Sequence, residues 1–168
     1  MQRYLLSFLL MLLAFLTQTV VVPYIRIFGV QPDLILVVAV CFSLTEGLIY
    51  GATAGFVGGF FEDLLLARYM GFNILTKTII GSLTGLLKGL GDQERTVLPL
   101  IVIFGASLLS QAILAVLAFL FGETIVFRSI FGWRMFLTAS YNALFTPFIY
   151  PVVLRLAKWQ KGLAFLEE

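Results

Sequence analysis

The chain has 168 residues, 61% of them hydrophobic and 12% charged, with a mean hydropathy of +1.05 and a net charge of +2. A soluble domain of this size carries about 25% charged residues, so this chain cannot cover itself with polar surface and its solvent is lipid. The charge is too small to imply nucleic acid, and no histidine with a lone Cys41 in an apolar run excludes zinc centres, disulfides and Cys/His catalysis.

A helix needs about 20 apolar residues to cross the hydrocarbon core. The first such run, Tyr4 to Val22, follows Arg3. It is too long for a signal h-region and has no A-x-A-like exit, so it reads as a retained span. Pro23 and the stretch to Gln31 form a loop, with Tyr24 and Arg26 at the interface. Pro32-Asp33 is a helix start for a second span over 33–46. That run is short for a bilayer and implies either a later end or a hairpin in thinned lipid. Further spans are expected over 48–66, 71–90, 97–121 and 135–156, the last bracketed by Trp133 and Trp159. The stretch from Gly122 to Trp133, with Glu123, Phe127, Arg128 and Phe131, is too polar to span and reads as an external loop or surface helix. The expected fold is therefore an all-α integral membrane protein, one polytopic domain of about six transmembrane helices. With both termini inside, Arg3, Lys88, Arg95, Arg155, Lys158 and Lys161 lie in the cytoplasm, and Arg26, Arg68, Arg128 and Arg134 outside. That excess follows the positive-inside rule.

Two glycine ladders stand out. Gly51, Gly55 and Gly59 recur every four residues in the third span, and Gly81, Gly85 and Gly89 do so in the fourth. Residues four apart share a helix face, and glycines there let two backbones approach closely. The ladders either pack the two spans on each other or dock a partner's helix. Glu62 and Asp63 close the first ladder, near Arg68 and Tyr69. They read as an interface anchor or helix-to-loop hydrogen-bond hub, or as binding residues. Neighbouring positions diverge by about 100° on a helix, which disfavours paired-carboxylate catalysis. Lys77, about two turns into the fourth span, either snorkels outward or pairs with Glu62 or Asp63. Asn142, Pro147 and Pro151 give the sixth span polarity and kink sites that could shape a cavity. No P-loop, nucleophile elbow or metal motif occurs, so no cofactor is expected.

Pro32-Asp33, then Gly51-xxx-Gly55-Phe56-xx-Gly59-xxx-Asp63 and Gly71, resembles the bacterial rod shape-determining family MreD. The likeness in layout covers nearly the whole chain, with the motif within residues 32–71; Glu46 departs from it, where a basic or neutral residue is usual. The resemblance implies a non-enzymatic role in the inner membrane, in the machinery that directs side-wall peptidoglycan synthesis. It implies a single-span MreC-like partner, with a transpeptidase and a RodA-like glycosyltransferase nearby. It also implies a fold similar to the membrane substrate-binding subunits of energy-coupling-factor transporters. On this reading the face of Gly51, Gly55 and Gly59 is the partner groove, with Asp63 fixing its outer end. The competing reading is a small-molecule carrier subunit for a vitamin or lipid precursor.

Overall fold

The computed structural model describes residues 2–66, 71–90, 96–122 and 132–164. Arg68, Tyr69, Arg95, Glu123, Phe127, Arg128 and Phe131 lie outside the described residues. Six α-helices run among those described: α1 Gln2–Val20, α2 Leu34–Glu46, α3 Leu48–Leu66, α4 Phe72–Gly85, α5 Val97–Leu120 and α6 Trp133–Ala164. A 3-10 turn over Val22–Ile25, with Pro23 inside it, ends α1. The loop that follows reverses at Phe28 and Gly29, both at positive φ. Tyr141 on α6 ties that loop down by donating its hydroxyl to the Ile25 carbonyl at 2.6 Å. Helices α5 and α6 contain segments long and apolar enough to cross a membrane by length and composition.

The short second helix is explained by its place in the bundle. α2 is apolar on every side until Ser43, and a helix that is hydrophobic all round belongs in a core. All 13 of its residues are buried, and it packs against each of the other five helices. At 1.5 Å per residue it is only about 20 Å long. Because other helices surround it, no lipid-facing belt has to be matched along its length. Around it the outer faces carry exposed Leu13 on α1, Ile49 on α3, Ile101 on α5 and Phe148 on α6. Such an apolar exterior over a partly polar interior is what lipid as solvent favours.

Two boundaries differ from the sequence expectation. α4 stops at Gly85, short of Leu90, because the chain tightens into i to i−3 bonds at Leu86, Leu87 and Lys88. Gly89 then takes a φ of +84° beyond the helix, with nothing near its missing Cβ. It is a turn glycine and not the third rung of a ladder, since a left-handed residue ends a helix. α6 continues past Leu156 to Ala164, running through Pro147 and Pro151.

Candidate functional site

The antiparallel α3–α4 hairpin builds the site. A Cβ on Gly55 would strike the carbonyl of Lys77, and one on Gly51 that of Gly81. Next along, a Cβ on Gly59 would lie 2.6 Å from the Asn73 carbonyl, and one on Gly85 would strike the backbone of Leu48. The two faces are therefore in backbone contact, and α4 fills the face that a partner helix would need at Gly51, Gly55 and Gly59. Ser43 of α2 seals the joint by donating to the Gly81 carbonyl at 2.7 Å.

The same spacing delivers charge. Stepping back one turn from Gly81 reaches Lys77, and a second step reaches Asn73; two turns on from Gly55 lies Glu62. Lys77 is thus on the packed face, 1% exposed, with its Nζ 3.0 Å from Glu62 and paired also with Asp33. Of the two expectations for Lys77, pairing is what the structure has, and Asp63 is not its partner.

Asp33 brings the third helix. It caps α2, one carboxylate oxygen accepting from the Leu36 N–H at 2.9 Å while the other accepts from Lys77. Its own N–H donates to Asn142 Oδ1 at 2.7 Å, and the Leu34 N–H donates to Gln18 Oε1 at 2.8 Å. Gln18 Nε2 donates in turn to the Pro32 carbonyl at 2.9 Å, and Asn142 Nδ2 to Ser107 Oγ at 2.9 Å. Side chains from α1 and α6 thereby occupy backbone groups that would otherwise be orphaned at a buried helix end. Asn142 is a clamp on α2, and the kinkable part of α6 around Pro147 does not line the polar cavity described below.

Asp63 works at the other helix start. Gly71, at the N-cap of α4 with a φ of +108°, has no side chain to offer. Asp63 supplies the missing acceptors: Oδ2 takes the N–H groups of Gly71 and Ile74 at 2.8 and 3.0 Å, and Oδ1 takes the Asn73 N–H at 3.2 Å and its Nδ2 at 2.9 Å. An anion there also opposes the positive end of the helix dipole. Asp63→Ala removes all four bonds, and we expect it to cost about 2–3 kcal/mol. Denaturant titration of the detergent-solubilised protein measures this; a loss within about 0.5 kcal/mol would mean water replaces the carboxylate without penalty.

Beside this cluster a cavity of about 410 Å³ lies at the end of the bundle where α1 and α3 finish and α2, α4 and α6 begin. Asp33, Glu62, Asn73, Gln111, Arg134 and Thr138 are among its lining residues. Sequence reasoning missed Asp33 as the partner of Lys77, and Asn73 altogether. Extending the second ladder backwards by one and two turns would have found Lys77 and Asn73 on its face; Asp33 is legible as a helix start, but no local signal pairs it with Lys77.

A family model described as rod shape-determining protein MreD matches residues 1–155. The chain belongs to the MreD family. Membership makes it a membrane protein with a role in determining rod cell shape. The match takes in both glycine faces, the ion cluster and its Gln18 and Asn142 clamps. No curated protein and no solved structure matches the chain.

Proposed function

We propose that this MreD-family chain is a non-enzymatic, six-span scaffold of the cell-elongation machinery, with both termini in the cytoplasm. It binds an MreC-like single-span protein and so organises side-wall peptidoglycan synthesis, with a transpeptidase and a RodA-like glycosyltransferase in the larger complex. The family match over residues 1–155 carries this reading. Gly51, Gly55, Gly59, Asp63, Gly81 and Gly85 contribute indirectly, by holding the α3–α4 hairpin in one geometry. The partner's helix meets the opposite face of α3, where Ile49, Phe56, Phe60 and Leu64 form an exposed apolar stripe. Affinity purification from native membranes in mild detergent, followed by mass spectrometry, tests the reading. Recovery of a single-span MreC-like protein in stoichiometric amount is the expected result, reduced by Phe56→Ala with Phe60→Ala. Wild-type protein that brings down no such partner overturns it.

The polar cavity favours a second reading, a substrate-binding membrane subunit of a small-molecule transporter with the energy-coupling-factor type of fold. Pockets of about 300–1,000 Å³ suit small ligands. Fold likeness is a weak warrant for function. ATPase subunits in the same purification would favour it over the scaffold.

A further inference from the structure

The cavity at the α2–α4–α6 end is bipolar, and its unmatched groups identify what it would hold. Glu62 gives one carboxylate oxygen to Lys77; the other has no hydrogen-bond partner among the described residues, and the side chain is 14% exposed. Two carboxyl groups, Asp33 and Glu62, face one ammonium, so one carboxyl oxygen is left over. Asp63 adds nothing to the cavity, being consumed by the start of α4. Arg134 lines another part of the same cavity, and its guanidinium has no partner among the described residues. The amide of Gln111 lines it too, likewise without a hydrogen bond there. Polar groups that converge without protein partners on a cavity at the open end of a membrane bundle are met by water or by a ligand.

We propose that this cavity is a site for a zwitterionic phosphoamine, the headgroup of an aminophospholipid. The guanidinium of Arg134 takes the phosphate, for which its planar fork of donors is suited. The ammonium enters against Glu62 and Asp33 and donates to the Glu62 oxygen that Lys77 leaves free, and the Gln111 amide serves the ester oxygens. The location fits a lipid source. The cavity lies where helices end, beside exposed Trp133 and on the side of the loop carrying exposed Tyr24. Such aromatics mark the level of the headgroups. None of the four residues of the apolar stripe on α3 lines the cavity.

The test is native mass spectrometry of the full chain released from a neutral detergent containing equal amounts of dioleoyl phosphatidylethanolamine and phosphatidylglycerol. Wild-type protein is expected to retain the ethanolamine lipid about tenfold over the glycerol lipid, as charge-assisted contacts at both poles imply. Arg134→Gln, an exposed position that should not disturb folding, loses retention of both lipids. Glu62→Gln keeps a hydrogen bond to Lys77 but removes the carboxyl that meets the ammonium, and levels the preference between the two. Excess glycerophosphoethanolamine separates the sources. Displacement identifies the soluble phosphoamine as sufficient, and persistence of the lipid identifies the membrane as the source. Equal retention of the two lipids by the wild type, or unchanged retention in Arg134→Gln, overturns the proposal. Neither result bears on recovery of the protein partner.

Discussion

Lys77→Met should destabilise the bundle by about 3–5 kcal/mol, because it leaves Asp33 and Glu62 buried side by side without a cation. The ammonium is 1% exposed and joins three helices through those two carboxylates. Methionine fills much of the same volume, so packing loss is small and the penalty is electrostatic. The triple variant Lys77→Met, Asp33→Asn, Glu62→Gln should therefore recover most of the loss, since replacing a whole buried ion cluster is often neutral. Both are read by denaturant titration in detergent micelles. A Lys77→Met protein within about 1 kcal/mol of wild type would show that water solvates the carboxylates and that the cluster is not dry.

Gly55→Leu is the second large effect. The new Cβ alone would lie on the Lys77 carbonyl, and overpacking by far less costs about 1–3 kcal/mol. A leucine must prise α3 from α4 and carry the Lys77 ammonium away from Glu62, so a loss above about 3 kcal/mol is expected. Gly105→Leu is the control, since nothing stands within 4 Å of the Cβ position at Gly105 on α5; its effect should be under about 0.5 kcal/mol. If the hairpin is the right explanation, Gly55→Leu and Lys77→Met will be strongly non-additive, each disturbing the same contact. Additive losses would separate the ladder from the ion cluster.

The sequence carried a good deal of this. Composition alone required lipid as solvent, and apolar run lengths located all six helices to within a few residues except at the ends of α4 and α6. Four-residue glycine spacing identified the surfaces on α3 and α4 able to touch backbone to backbone, because helix periodicity is a local property. The motif within residues 32–71 pointed to the MreD family, to which the match over 1–155 assigns the chain.

What local periodicity cannot contain is which face meets which. The ladders pointed first to the two spans packing on each other but left docking of an external helix open, and only the hairpin register set Gly55 against Lys77 and Gly51 against Gly81. Gly89 kept the spacing but not the helix, since three tightened turns and a φ of +84° intervene. Asp33 read as an ordinary helix start, yet it is 44 positions from Lys77 and 109 from the Asn142 that clamps its N–H. Those partnerships exist because α2 is central and its end lies inside the bundle, where each polar group must find a partner or carry the full cost of burial. Sequence thus determined the helices, the solvent and the close-packing faces, which follow from composition and the 3.6-residue period. Tertiary structure decided the ion cluster, the capping of α4 by Asp63 and the cavity beside them, because each depends on the relative rotation and depth of helices far apart in the chain.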